Sequence, residues 1–225
     1  MNKEELEELI QECPSLYHMA ERHSWESIQK HGLLSTSALL NMYEIVGEKR
    51  FEIEQTRRDK SILINKTGLH QAVIRDQLPM DDKGLMRALP PEISPADWYR
   101  LLNSKVFFWL TKDRLYRLTD ARTYRDKEHD VLELDTRKLI EVHYHDIVLC
   151  PINSGCTKPY PANRDYDSFL PIDEYPYQHW KSKRGKRGDK AVELVVNHSV
   201  PDVTKFIRRV SVMKGTEELE VLFEK

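Results

Sequence analysis

Leu16-Tyr17-His18-Met19-Ala20, Ser24 to His31 and Gly32-Leu33-Leu34-Ser35 follow one another near the start of the chain. They read as a short strand carrying a histidine, a brief helix and an aliphatic turn. Ser24 is placed to cap the helix, Trp25 and Ile28 give it an apolar face, and Gly32 suits the left-handed residue that ends it. A histidine fixed beside such a turn is placed to hydrogen-bond a ligand, and His18 is therefore a candidate site residue.

Around this stretch the chain has 225 residues, enough for one sizeable domain. Charged residues make up 32% and hydrophobic residues 40%, the balance of a soluble globular protein with a well-charged surface. A formal charge of -2 points to no nucleic-acid partner by itself, so such a partner has to come from local clustering. No run approaches the roughly 18 apolar residues of a membrane span, and the acidic start Met1 to Leu6 is unlike a signal peptide. Cys13, Cys150 and Cys156 form no close pair and no metal-ligand spacing. They read as reduced thiols, which points to a cytoplasmic protein without a metal.

Outward from the opening stretch, residues 3–12 read as an amphipathic helix and Ser37 to about Arg58 as a second long one, ending in Arg57-Arg58. The segment 60–92 reads as irregular and holds Val73-Ile74-Arg75-Asp76-Gln77. Ser94-Pro95-Ala96-Asp97 is a helix start, with a serine cap, proline at the first position and an acid at the third. That helix leads into a buried strand, Val106-Phe107-Phe108-Trp109-Leu110, and Thr111 caps a basic helix to about Arg122. Strands follow at 131–134 and 147–150, with a helix from Thr136 to Glu141 between them. From 151 to 180 the chain is rich in proline and tyrosine and reads as a surface wrap. The last strands fall at 191–196 and about 206–213. Scattered helices between strands in both halves make the chain α+β or mixed α/β, in one domain.

Ala191-Val192-Glu193-Leu194-Val195-Val196 puts Val192, Leu194 and Val196 on one face, and Glu193 with Ala191 and Val195 on the other. A carboxylate in that company is exposed, paired or used. Glu133, in Val131 to Leu134, is an equally placed rival that periodicity does not separate from it. Just upstream, six of the ten residues from Lys181 to Lys190 are basic, with Gly185 and Gly188 among them. Lys183, Arg184, Lys186 and Arg187 are candidates for neutralising phosphates, with Tyr177 and Trp180 as faces on which bases stack. The bland reading of the same run is a solvated loop. Phe107-Phe108-Trp109 reads mostly as core, with about one ring in three lining a pocket. Arg75-Asp76-Gln77 is a local ion pair or a polar element of a site, and Ser154-Gly155-Cys156 reads as a turn. No phosphate-cradling glycine loop, dinucleotide fingerprint, zinc spacing or nucleophile elbow is present in the sequence.

Taken together, Leu16-Tyr17-His18-Met19 and Ser27-Ile28-Gln29-Lys30-His31-Gly32-Leu33-Leu34-Ser35 resemble the opening of the DarT-like ADP-ribosyltransferases. Lys190 to Val196 with Ser199-Val200-Pro201 resemble that group's catalytic-glutamate strand and the turn after it. The chain from about 15 to 210 also resembles an uncharacterised bacterial family that shares the blocks at 73–77, 97–102 and 106–109. The resemblance implies an ADP-ribosyltransferase-like split β-sheet with flanking helices, in a single domain over 1–225. Within it, 1–14 is an N-terminal helix and 160–190 an aromatic and basic acceptor-recognition region. It implies NAD as co-substrate, bound by His18 with Tyr17, Phe107, Trp109 and one of Arg57, Arg58 or Arg75. Glu193 would stabilise the positive charge that develops as the glycosidic bond breaks, and would deprotonate the acceptor. The implied acceptor is single-stranded DNA or RNA, and the implied role a cytoplasmic toxin held by an antitoxin or serving in anti-phage defence. The alternatives are transfer to a protein or small acceptor, and a non-catalytic NAD- or nucleic-acid-binding module.

Overall fold

The computed structural model describes residues 1–185 and 187–225. Asn2 opens α1 (Lys3–Glu12) with a reciprocal cap to Glu5, and β1 (Ser15–Glu21) follows. Next come α2 (Trp25–His31), β2 (Leu33–Leu34), α3 (Thr36–Met42), α4 (Gly47–Gln55), β3 (Ile62–Ile64) and β4 (Ala72–Ile74). The middle of the chain supplies α5 (Asp82–Ala88), α6 (Pro95–Asn103), β5 (Lys105–Trp109), α7 (Lys112–Thr119), β6 (Glu128–Asp135), α8 (Thr136–His143) and β7 (Ile147–Cys150). The last elements are β8 (Leu170–Pro171), α9 (Tyr177–Arg184), β9 (Glu193–Asn197), β10 (Ser199–Val200), β11 (Ile207–Lys214) and β12 (Glu217–Glu224).

Among the described residues the main sheet is antiparallel throughout, in the order β12-β11-β6-β1-β5-β9-β7-β8. Its two halves barely touch. β1 pairs with β6 along its whole length, but meets β5 at Tyr17–Trp109 alone. The sheet is therefore split between β1 and β5, as the α+β split-sheet expectation holds.

Alternation along the strands builds a core on each face. One face carries Leu16, Leu132, Val106, Phe108, Leu194 and Leu149, covered by α1, α2 and α8 through Leu9, Ile28 and Leu139. On the other face the two halves are covered separately. α5 and α6 pack Leu85, Trp98 and Leu102 on Val148 and Val195, whereas α7 packs Leu115 on Met19, Val131 and Met213. A smaller core of Leu40, Tyr43, Ile53, Ile64 and Ile74 joins α3 and α4 to the β3–β4 hairpin.

Several local expectations are corrected. The helix read from 37 to 58 is two helices, because Glu44 takes a positive φ of 56° and the Ile45 N–H closes back on the Leu40 carbonyl at 2.9 Å. The irregular stretch 60–92 holds the β3–β4 hairpin and α5, which Asp81 caps through the Gly84 N–H at 2.6 Å. β9 begins at Glu193 rather than Ala191. Ser24 precedes α2 without a side-chain cap, whereas Ser94 caps α6 as expected.

Candidate functional site at the sheet split

A cavity of about 450 Å³ opens where β1 and β5 part, within the range of small-molecule sites. It is lined by residues of β1, α2, the Gly32 turn, β5 and β9, by the Asn153–Cys156 loop and by Ala72 to Gln77 with Pro79 and Met80. His18 and Glu193 both line it. Alternation puts them on opposite faces of a continuous sheet, since Glu193 aligns with Trp109 and Trp109 with Tyr17. The split is what lets both reach one space.

His18 is half-buried on β1, and its Nδ1 lies 2.8 Å from the Phe107 carbonyl. β5 has almost no pairing on this side, so the carbonyl takes a side-chain donor instead. A carbonyl only accepts, so Nδ1 carries the proton and Nε2 is left as an acceptor. Burial pushes the imidazole down to about 4, against the Phe107 bond and with help from the Arg75 charge. His18 is thus neutral around pH 7.

Glu193 is 3% exposed and sits between Trp109 on β5 and Cys150 on β7. Central position in the sheet, not a half-solvated face, is what surrounds it with apolar neighbours. The Ser154 N–H donates to its Oε1 at 3.1 Å, while Oε2 is buried with no hydrogen-bond partner among the described residues. Burial raises the carboxyl to about 7, against the Ser154 and Cys150 hydrogen bonds and the Arg164 charge. The group therefore exchanges a proton near neutrality, and its Oε2 is buried at the cavity wall without a hydrogen bond among the described residues.

The turn motifs at the two ends of the sequence meet here. β2 pairs with β10 through Leu34–Ser199 and Leu33–Val200. Gly32 lies so close to Pro201 that a Cβ there would fall 2.6 Å from the Pro201 carbonyl oxygen.

The three candidate arginines separate. Arg75 lines the cavity, stacked 4.5 Å above the Tyr124 ring; its buried Nε makes no hydrogen bond among the described residues but lies 3.6 Å from the Glu21 carboxylate, and its Nη1 donates to the Met19 carbonyl at 3.4 Å. Arg58 lines it too, but its guanidinium is spent on the Arg75 and Ile53 carbonyls and on Asn103 Oδ1. Arg57 donates to the Met80 carbonyl at 2.6 Å and lies off the lining. Phe107 and Trp109 line the cavity. Tyr17 does not: it lines a second, smaller space with Glu133, Lys112 and Arg209. Glu133, the rival acid, accepts there from Ser15 Oγ at 2.7 Å.

The basic segment is more structured than a free loop. Tyr177 is buried, its hydroxyl toward Glu12, and has no face to offer a base. Trp180 packs on the core, covered by Lys183 at 5.0 Å and Arg184 at 4.5 Å. Arg184 donates to the Asp189 and Pro151 carbonyls, and Lys181 and Lys190 pair with Glu8 and Glu12. Lys183 and Arg187 are exposed, and Lys186 lies outside the described residues. The segment reaches the cavity through Asp189, which Arg114 of the lining holds with two N–H groups.

The model of a family of unknown function, DUF7002, matches residues 14–207. The chain belongs to that family. No curated relative matches it. Among solved structures the chain is similar to DarT of Thermus sp. 2.9 in complex with NAD+, with 12% identity and a TM-score of 0.40 over 89% of this chain and 82% of that one.

Residues that carry no motif of their own complete the candidate site of this DUF7002 chain. Tyr124 donates to Asp76 and holds Arg75 from below. Arg114 and Arg117 on α7 reach the cavity. Ser154, which reads from sequence as a plain turn residue, supplies a backbone donor to the Glu193 carboxylate. Among the described residues no group of three or more His, Cys, Asp or Glu is placed to hold a metal, and no helix is long and apolar enough to cross a membrane.

Proposed function

We propose that this chain is an NAD-dependent mono-ADP-ribosyltransferase that modifies single-stranded DNA or RNA and acts as a toxin restrained by an antitoxin. The observation that carries the reading is the convergence of His18 and Glu193, 175 residues apart, on one cavity in which Glu193 keeps a buried, unpartnered oxygen. The resemblance of both motifs to the DarT-like group supplies the reaction: NAD and an acceptor X–H give ADP-ribosyl-X, nicotinamide and a proton.

Breaking the nicotinamide–ribose bond develops positive charge, and a fixed carboxylate in a cavity with little water stabilises it far better than one in solution. Glu193 in its ionised form supplies that charge. Its elevated pKa also suits it to take the acceptor's proton near neutral pH. Neutral His18 offers Nε2 as an acceptor to the bound dinucleotide, and Arg75 is the cavity's candidate partner for the pyrophosphate. Lys183 and Arg187 are the exposed charges that favour a phosphate-bearing acceptor.

Labelled NAD incubated with the protein and single-stranded DNA or RNA should transfer label to the nucleic acid. Glu193→Gln should lower that transfer by about 10³-fold or more, the usual scale for losing a key electrostatic group, without loss of fold. Normal transfer by Glu193→Gln refutes the assignment. Label appearing on protein alone replaces the nucleic acid with a protein acceptor. In cells, wild type should arrest growth and Glu193→Ala should not.

A further inference from the structure

Arg164 falls in the proline- and tyrosine-rich wrap, yet it is 2% exposed. Its guanidinium donates to three carbonyls: Nη1 to Ser154 at 2.7 Å, Nη2 to Cys156 at 2.8 Å and Nε to Ala162 at 3.0 Å. The Arg164 N–H is itself tied to the Ala88 carbonyl at the end of α5, at 2.9 Å. Trp98 lies beneath the guanidinium at 5.7 Å and adds its own indole N–H to the Ser154 carbonyl at 3.4 Å. Ser154 is thus held on both sides, by Arg164 and Trp98 at its carbonyl and by Glu193 at its N–H. A planar fork that satisfies separate carbonyls fixes a loop in a way that a flexible ammonium does not.

We propose that Arg164 is a positioning residue for Glu193, holding the Asn153–Cys156 loop so that the Ser154 N–H stays aimed at the carboxylate and the guanidinium stays beside it. The inference rests on the transferase reading for its chemical meaning. The titratable groups that bear on Glu193 are Cys150 on β7 and Arg164; the cavity also carries His18, Glu21, His31, Arg58, Arg75, Asp76, Lys105, Arg114, Arg117, Tyr124 and Cys156. Burial raises the Cys150 thiol well above its usual range, so it carries no charge near neutrality and Arg164 is the nearby cation that biases the carboxyl. Removing that charge, or loosening the loop, favours the protonated and inactive form.

The test follows the Glu193 carboxyl by carbon-13 NMR, assigned by its loss in Glu193→Gln, in wild type, Arg164→Lys and Arg164→Met. The titration midpoint should rise in the order wild type, Lys, Met. If Arg164→Met does not fold, Arg164→Lys decides alone, and a midpoint equal to that of wild type overturns the proposal. NAD cleavage gives a second readout. At pH 6.5 Arg164→Lys should lower kcat by about tenfold, with KM for NAD nearly unchanged, and raising the pH should restore kcat. A loss of kcat equal at every pH would mark Arg164 as framework only. The titration needs no substrate, so a wild type that never cleaves NAD refutes the transferase reading while the midpoints still judge Arg164.

Discussion

Glu193 and His18 are buried against their chemistry in opposite senses, and that gives the chain a pH signature. The Glu193 carboxyl stands at about 7 in the fold against an ordinary value of 4.5, so between those values the folded state holds a proton that the unfolded state has lost. Stability falls there as pH rises, by about 1.4 kcal/mol per pH unit. The His18 imidazole stands at about 4 against 6.5, so in that window the unfolded state holds the extra proton and stability rises with pH. The two slopes cancel between about pH 4.5 and 6.5 and leave only the Glu193 loss above it. Glu193→Gln removes one slope: stability should then rise from about pH 4.5 to 6.5, and at about pH 8 the variant should exceed wild type by about 3 kcal/mol. His18→Asn should show the reverse, with stability falling through the same window. Denaturant titrations at a series of pH values measure both, and parallel curves for all three proteins would refute the burial argument.

At the scale of elements, the strands that carry the site were legible because alternation and capping are local. Thr111 and Ser94 cap the helices that follow them, and the apolar runs at 106–109 and 147–150 lie in strands. The break at Glu44 was not legible, since a non-glycine residue in the left-handed region carries no mark in the sequence. β12 was missed because an exposed, acid-rich edge strand lacks the apolar face that announces a strand. The split itself could not be read, because it depends on β1 and β5 failing to pair. His18 and Glu193 were nameable as candidates, but only the split explains how residues on opposite strand faces share a cavity. Gly32 shows an element under tight constraint, with φ of 82° and the Pro201 backbone where a side chain would stand. Gly32→Ala should cost about 3 kcal/mol or more in denaturant unfolding, from backbone strain and overlap together. A loss under about 1 kcal/mol would mean that the β2–β10 turn yields.

At the scale of the whole molecule, charge is distributed unevenly on a chain of formal charge -2. Glu217, Glu218, Glu220 and Glu224 crowd β12 at one edge of the sheet, while Arg114 and Arg117 line the cavity and the basic segment adjoins it through Asp189. The framework has already claimed Arg184, Lys181 and Lys190, so reversing them would disturb packing as well as charge. Lys183 and Arg187 are the exposed pair that tests recognition. With both changed to Glu, binding of single-stranded nucleic acid should weaken. The slope of log affinity against log salt should flatten by about 1.4, which is about 0.7 for each phosphate that is no longer neutralised. NAD hydrolysis without nucleic acid should persist, because neither residue lines the cavity. An unchanged salt slope would exclude this rim from acceptor binding and move the search for the acceptor to Arg114 and Arg117. A flattened slope with retained hydrolysis would separate the two halves of the proposed reaction: dinucleotide cleavage inside the split, and acceptor capture on the basic surface beside it.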